Sequence, residues 1–248
     1  MTKFINRLDS NTIAFNQLTG KNIGIVFLSG FNSDMQGKKA LYIEKWAKDN
    51  NHSFLRFDYS GHGQSSGKID TTCFSDWYQD AEYIICKKTK SKQILIGSSM
   101  GAWIMLMLAK RIPEKISAII GLAPAPDFPK ILIWDKMTRD EKRNLIKNKK
   151  ISIKYEDGSK NNFSYKLIKD SFKNLTLSES IYFNGPVYLY HGMADNAVPY
   201  DLSIKIINTF KGDNDIKLLL EKGAGHRLSE IHQLKNITNI IEEIKIKI

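Results

Sequence analysis

The sequence has little of what marks secreted and membrane-spanning proteins. Only two cysteines, Cys73 and Cys86, occur in 248 residues, which excludes a disulfide-stapled fold and leads us to expect two free thiols in a reducing compartment. The longest wholly apolar run, residues 102–109, falls far short of the roughly 20 residues that a membrane helix needs. Residues 1–20 lack the apolar core of a signal peptide, and Asp9 disfavours a transit peptide. We therefore expect a cytoplasmic protein without stable membrane insertion.

Signatures of metal, nucleotide and nucleic-acid binding are also missing. No group of His, Cys and Asp has the spacing of metal ligands, and no loop has the Gly-Lys-Ser/Thr pattern that binds phosphates, so no metal or cofactor is expected. The formal net charge is +11, but the lysines are scattered along the chain and form no basic stripe with interleaved aromatic residues. Nucleic acid is therefore not expected as a partner, and the oligomeric state stays open.

What the sequence does contain is a regular alternation of strands and helices. Residues 23–28 are apolar almost throughout, which is typical of a strand buried on both faces of a sheet. The alternation predicts an α/β fold with a mostly parallel central sheet and helices on both faces. Residues 8–15 predict a hairpin with its turn at Ser10 and Asn11. Further strands are expected at 54–59, 94–96, 116–123, 187–190 and 216–220, and helices at 37–50, 76–88, 102–109, 202–210 and 228–246.

Between residue 127 and about residue 184 the alternation breaks down. This stretch is charged and irregular, with weakly helical pieces near residues 138–147 and 165–174. Sheets of the predicted kind bind their ligands beyond the carboxyl ends of the strands. We therefore interpret residues 127–184 as a cap inserted over those strand ends, within a single domain that spans residues 1–248.

Residues 97–101 read Gly-Ser-Ser-Met-Gly and join an apolar strand to an apolar helix. In such a Gly-x-Ser-x-Gly turn the central hydroxyl is exposed, and the flanking glycines allow close backbone approach. This spacing selects Ser99 rather than Ser98 as a nucleophile. The free N–H groups at the start of the helix make Met100 N–H a candidate donor to an oxyanion. Phe31 N–H, in the loop after the strand at 23–28, is the second candidate.

Partners for Ser99 follow two late strands. Asp195 lies just past the strand at 187–190, and His226 lies in a glycine-rich loop after the last predicted strand. Ser, Asp, His is the chain order associated with this sheet topology. In such a triad His226 takes the proton of Ser99 and returns it to the leaving group, while Asp195 orients the imidazole and stabilises its charge.

Other residues are weaker candidates for catalysis. We expect His191 to pack the turn that carries Asp195, and His62 to shape the tight turn after the strand at 54–59. Asp127 is an alternative to Asp195 as the acid. The remaining histidines have surface-like surroundings in the sequence, namely His52 and His232.

These motifs together resemble a known family. Ser99, Asp195 and His226, in this order, resemble the triad of the α/β-hydrolases. Within that superfamily, residues 30–35, 56–61, 97–103 and 191–199 are similar to the abhydrolase-domain palmitoyl-protein thioesterases of mitochondria, which also act as acyl-glucuronide esterases, and to their bacterial relatives. The similarity extends over nearly the whole chain, except the cap. Without a targeting segment, the chain looks like a bacterial cytoplasmic member.

The resemblance implies an α/β-hydrolase fold and a serine hydrolase that cleaves esters or thioesters through an acyl-Ser99 intermediate. It implies catalytic roles for Ser99, Asp195 and His226, and oxyanion roles for Phe31 and Met100. The expected substrate is a small ester or thioester, or an acylated protein. A serine peptidase is the alternative activity, because the same triad cleaves amides. A non-catalytic binding protein on this fold would lack a triad member, and none is lacking here.

Overall fold

An eight-stranded, mostly parallel sheet forms the centre of the protein. The computed structural model describes residues 1–7, 11–154, 158, 160–212 and 215–248. In chain order the strands are β1 (Lys3–Asn6), β2 (Thr12–Leu18), β3 (Asn22–Leu28), β4 (His52–Phe57), β5 (Gln93–Ser98), β6 (Ile116–Leu122), β7 (Lys150–Lys154), β8 (Lys160–Ser164), β9 (Ile181–Tyr182), β10 (Val187–Gly192), β11 (Phe210–Lys211) and β12 (Ile216–Glu221). The large sheet has the order β1-β2-β4-β3-β5-β6-β10-β12. Only the β1–β2 and β2–β4 pairs in it are antiparallel.

Helices cover both faces of this sheet. They are α1 (Lys38–Asp49), α2 (Phe74–Lys88), α3 (Met100–Arg111), α4 (Arg139–Asn148), α5 (Tyr165–Ser171), α6 (Asp201–Thr209) and α7 (Ile231–Lys245). A layer of helices is needed on each face of the sheet, because successive side chains of a strand point to opposite faces. The central strand β5 is an example. Leu95 joins the core that contains Trp77 of α2, whereas Ile94 joins the core that contains Ile43 of α1 and Ile237 of α7. The predicted α/β architecture, a mostly parallel central sheet with helices on both faces, is confirmed.

Two local predictions need correction. The first strand of the N-terminal hairpin lies at residues 3–6 and pairs with residues 12–15, so it begins earlier than predicted. The turn predicted at Ser10 and Asn11 lies partly outside the described residues, because residue 10 is not among them. His52 was expected near the surface but is buried, because it begins β4 under the ring of Trp46, at 5.2 Å between ring centroids.

The segment between β6 and β10 is built from small elements. A π-helical stretch (Pro129–Ile133) leads to α4, the antiparallel β7–β8 hairpin and α5. α4 and α5 lie where helical pieces were predicted, but the hairpin was not foreseen. β9 then pairs in parallel with the distant β11. The assignment of residues 127–184 as a cap within one domain stays our interpretation. None of the described helices has the length and hydropathy to cross a bilayer.

Candidate active site

The turn between β5 and α3 carries Ser99 in a strained conformation. Its φ angle is 54°, a left-handed backbone that non-glycine residues rarely adopt. The glycines on either side are required by close contacts. A Cβ atom on Gly101 would lie 2.1 Å from the carbonyl oxygen of Leu28, and one on Gly97 would lie 2.5 Å from Cα of Ala102. The helix therefore begins directly against the end of β3, and the Ser99 hydroxyl projects from the sheet edge.

His226 and Asp195 come together at this turn although they are distant in sequence from Ser99. Nε2 of His226 lies 3.0 Å from Oγ of Ser99, and Nδ1 lies 2.7 Å from Oδ2 of Asp195. A carboxylate accepts hydrogen bonds, so the hydrogen of the neutral ring is on Nδ1 and the lone pair of Nε2 faces the hydroxyl. Ser99, His226 and Asp195, the predicted nucleophile, base and orienting acid, thus lie in hydrogen-bonding contact with one another.

The carboxylate of Asp195 is fully buried and fully hydrogen-bonded. Its Oδ1 accepts from the backbone N–H groups of Ala197 and Val198 at 2.9 and 2.8 Å. Its Oδ2 accepts from His226 and also from Nε2 of His191, at 3.0 Å. Burial alone would raise the pKa of Asp195, but the hydrogen bonds from His191 and His226 outweigh it and hold that pKa well below its usual range. Asp195 therefore remains a carboxylate next to His226.

His191 is tied to its surroundings through both ring nitrogens. Nδ1 lies 2.7 Å from Oγ of Ser203, and Nε2 lies 3.0 Å from the carbonyl oxygen of Val198 as well as from Asp195. Because Nε2 faces two acceptors, it carries the hydrogen. The contact with Val198 agrees with the expected packing of the turn, whereas the hydrogen bond to Asp195 was missed. The signal for it was the His-Gly-x-x-Asp spacing at the end of β10.

The loop after β3 lies against the Ser99 turn. A Cβ atom on Gly30 would lie 3.3 Å from the carbonyl oxygen of Ser98 and 3.4 Å from Cβ of Ser99. The next residue is Phe31, the predicted oxyanion donor. Met100, the other predicted donor, is the first residue of α3, where backbone N–H groups have no partner within the helix. Both backbone candidates thus belong to segments that adjoin Ser99.

The side chain of Phe31 links this loop to the β7–β8 hairpin. Its ring stacks on that of Phe163 in β8, with 5.1 Å between centroids, and it also contacts Phe128 and Trp77 at 5.9 and 5.8 Å. Phe163 is only 1% exposed. The rings form an apolar aromatic cluster beside the Ser99 turn.

Asp127, the alternative acid, has a different set of contacts. One carboxylate oxygen accepts from the backbone N–H and the hydroxyl of Thr176, at 2.8 and 3.0 Å, and the other accepts from Leu177 N–H at 3.0 Å. Burial raises the pKa of Asp127. Asp127 thus fixes the chain after α5, whereas Asp195 is the acid in contact with His226.

Comparison with known proteins shows the family of this chain. The profile of the family described as serine aminopeptidase S33 matches residues 22–170. Human mitochondrial palmitoyl-protein thioesterase ABHD10 is 34% identical over 243 residues, which cover 97% of this chain and 79% of that protein. The chain belongs to the α/β-hydrolase family. Both the predicted fold and the predicted resemblance are confirmed for this α/β-hydrolase.

Two solved structures are similar to this α/β-hydrolase over nearly its whole length. The mouse alpha/beta hydrolase domain-containing protein 10 aligns with a TM-score of 0.93 at 30% identity, over 100% of this chain and 99% of that one. A putative hydrolase from Agrobacterium vitis S4 aligns with a TM-score of 0.93 at 31% identity, over 98% of each chain. The relationship to these proteins supports hydrolytic activity.

Across the described ranges of this α/β-hydrolase, no group of three or more His, Cys, Asp or Glu side chains is arranged to hold a metal ion. What the site does offer is a hydroxyl beside the lone pair of an imidazole, with backbone N–H groups on two adjoining segments. Such a set of groups is suited to acyl transfer.

Proposed function

We propose that this α/β-hydrolase is a serine esterase or thioesterase that works through an acyl-Ser99 intermediate. One observation carries the proposal: the His226 ring lies between Ser99 Oγ, at 3.0 Å from Nε2, and Asp195 Oδ2, at 2.7 Å from Nδ1. This is the arrangement in which an imidazole removes the proton from an attacking hydroxyl.

The proposed reaction has two halves. Ser99 Oγ attacks the carbonyl carbon of the substrate while its proton moves to Nε2 of His226, and the carbonyl oxygen becomes an oxyanion that accepts from Phe31 N–H and Met100 N–H. The bond to the alcohol or thiol then breaks, and His226 returns the proton to the departing oxygen or sulfur. Water attacks the acyl-Ser99 ester in the same way, with His226 as base, and releases the carboxylic acid.

The surroundings of Ser99 favour an apolar acyl group. Phe31, Phe128 and Phe163 lie in one aromatic cluster at the loop after β3 that carries Phe31, the candidate oxyanion loop (residues 29–34). Phe31 is the partly exposed ring of the three, and an apolar ring in this position favours contact with hydrocarbon through exclusion of water. The name of the human relative, palmitoyl-protein thioesterase, supports a thioester with a long acyl chain on a protein. A small ester is the other substrate class within the same proposal.

The proposal is tested with p-nitrophenyl esters and acyl-CoA thioesters of increasing acyl length. We expect turnover by the parent protein, together with covalent labelling by a fluorophosphonate, and loss of both in Ser99→Ala. Ser98→Ala is the matched control, because Ser98 is the adjacent buried serine at the end of β5. Labelling that persists in Ser99→Ala, or that disappears in Ser98→Ala alone, would contradict the proposal.

A serine aminopeptidase is the second candidate. It is favoured by the description of the matching family, serine aminopeptidase S33, and it uses the same groups on an amide. Hydrolysis of aminoacyl naphthylamides at rates comparable to those of esters would favour the peptidase. Ester or thioester turnover without amide turnover would favour our first proposal.

A further inference from the structure

The strongest unassigned feature is a buried histidine behind the candidate oxyanion loop. His62 lies in the turn after β4, is 4% exposed and is surrounded by aromatic rings. Its ring makes edge contacts with Trp77, Tyr59 and Phe31, at centroid distances of 5.2, 5.7 and 6.2 Å. His62 contacts none of the three triad residues in the proposed mechanism, so its burial needs another explanation.

Both nitrogens of the His62 ring have backbone partners. Asn32 N–H donates to Nε2 at 3.3 Å, and Nδ1 lies 3.3 Å from the carbonyl oxygen of Ser60. The first contact requires a lone pair on Nε2 and the second requires a hydrogen on Nδ1, so the ring is neutral and in the Nδ1–H tautomer. Burial lowers the pKa of His62 to about 4, which keeps the ring neutral near pH 7.

The hydrogen bond from Asn32 N–H to His62 lies in a turn whose shape determines the direction of Phe31 N–H. Ser33 N–H donates to the carbonyl oxygen of Gly30 at 3.2 Å, which closes a turn over residues 30–33. In a trans peptide the N–H points away from the C=O of the same unit, so Phe31 N–H is directed out of this turn. Asn32, the third residue of the turn, has φ of 55°.

A positive φ is energetically unfavourable for asparagine, although less so than for most other residues. A positive φ at the third position is typical of type II turns, in which the central peptide is flipped relative to type I. The hydrogen bond from Asn32 N–H to His62 stabilises one orientation of this central peptide. Loss of that acceptor would allow the turn to relax and would leave a donor without its partner.

A second connection holds the same two loops together independently of His62. Asp58, just after β4, accepts from Met35 N–H at 2.7 Å through one oxygen and from Gln64 N–H at 2.8 Å through the other. The two loops therefore stay adjacent when the His62 ring is altered, and a variant at residue 62 changes mainly the central peptide of the 30–33 turn.

We infer that His62 is a positioning residue for the oxyanion site, because its Nε2 lone pair holds Asn32 N–H and thereby fixes the turn that presents Phe31 N–H. The inference rests on the proposed function, in which Phe31 N–H stabilises the oxyanion. It assigns to His62 an effect on the transition state and none on the binding of the ground-state ester.

The test compares His62→Phe, which keeps a ring but removes the acceptor, with His62→Gln, whose side-chain oxygen can accept near the position of Nε2. His52→Phe is the matched control, since His52 is also buried and lies at the opposite end of β4. For each variant kcat and KM for a p-nitrophenyl ester are measured, with the inhibition constant of a trifluoromethyl ketone, which forms an oxyanion on Ser99.

We expect His62→Phe to lower kcat by about 10-fold or more with KM changed by less than about threefold. Its affinity for the trifluoromethyl ketone should fall in proportion to kcat/KM, whereas His62→Gln should recover most of both quantities and His52→Phe should keep them. Unchanged kcat in His62→Phe, unchanged inhibitor affinity, or equal losses in His62→Gln and His62→Phe would overturn the inference.

A measurement on the unaltered protein covers the case in which these variants do not fold. Long-range ¹H–¹⁵N correlation spectra report the tautomer of each imidazole, and we expect His62 to be protonated on Nδ1 at pH 7. The Nε2–H tautomer would overturn the inference. A parent protein with neither ester nor thioester turnover nor Ser99 labelling would instead remove the proposed function, and with it the role assigned to His62.

Discussion

His191 donates a hydrogen bond to Asp195, with 3.0 Å between Nε2 and Oδ2, the same oxygen that accepts from Nδ1 of His226 at 2.7 Å. The buried carboxylate is thus shared between two imidazoles. We predict that His191→Phe lowers kcat about 10-fold, because the orientation of Asp195 is less well fixed. Its free energy of unfolding should fall by about 1–3 kcal/mol, because a buried acceptor loses a donor. Ester turnover and urea unfolding check the two effects.

His191→Gln is the control for this prediction. Its side-chain N–H can reach Oδ2 from nearly the same position, so we expect it to keep most of the activity and stability. Full activity in His191→Phe, with the protein folded, would contradict a role for His191 in orienting Asp195.

Two buried aspartates allow the acid of the proposed triad to be identified by a matched pair of variants. We predict that Asp195→Asn lowers kcat by about 10³–10⁴-fold, since the amide favours the wrong tautomer of His226. Asp127→Asn should retain activity within about threefold but lose about 1–3 kcal/mol of stability, because the amide cannot accept from Thr176 and Leu177 together. Equal losses of activity in the two folded variants would contradict the assignment.

The stability of the protein should depend on pH because His62 is buried as a neutral ring. Burial lowers its pKa to about 4, whereas the pKa in the unfolded chain is about 6.5. Below pH 6.5 the unfolded state therefore binds the proton more readily, and stability falls as the pH drops toward 4. We predict a loss of about 2 kcal/mol from His62 between pH 7 and pH 5, measured by urea unfolding.

His62→Gln should remove this part of the pH dependence. Burial also lowers the pKa of His52, so a smaller decline of the same sign should remain in that variant. The low pKa of Asp195 does not contribute to the loss of stability between pH 7 and pH 5, because the stabilisation from Asp195 is lost only below about pH 4. An equally steep decline in the parent and in His62→Gln would show that His62 is not the source.

The positions proposed for the triad could be predicted from the sequence because chain topology fixes them. Ser99 is marked by its two glycines, and Asp195 and His226 lie in the loops that follow β10 and β12, two parallel strands of one sheet. Since parallel strands end at a common edge, residues far apart in sequence meet there whatever the details of the loops. The fold class follows in the same way from apolar runs such as β3 and β5, which are buried on both faces.

The supporting contacts could not be predicted because they depend on local backbone geometry. The hydrogen bond from Asn32 N–H to His62 requires a positive φ and a closed turn, neither of which leaves a periodic pattern. His52 was wrongly placed near the surface, because its polar neighbours Asn51 and Ser53 obscure its position at the start of a buried strand. The β9–β11 pair is two residues long on each side, too short for a strand signal.

The β7–β8 hairpin should control which acyl groups reach Ser99, because Phe163 of β8 stacks on Phe31 beside the nucleophile turn. We predict that Phe163→Ala lowers the free energy of unfolding by about 3 kcal/mol or more, since a buried ring is replaced by a cavity. It should also raise the ratio of kcat/KM for long over short acyl esters about fivefold, because hydrocarbon can occupy the vacated volume. The acyl-length series with p-nitrophenyl esters measures this ratio.

Asn162→Ala is the control for Phe163→Ala, because Asn162 is the preceding residue of β8 and its side chain is exposed on the opposite face of the hairpin. It should leave the acyl-length profile unchanged. Small fluorophosphonates should label Ser99 in both variants, since neither change alters Ser99, His226 or Asp195. If kcat/KM in Phe163→Ala equals the parental value at every acyl length, the acyl group binds elsewhere. An equal loss of kcat/KM at every acyl length would mean that the hairpin supports the oxyanion loop without forming the acyl site.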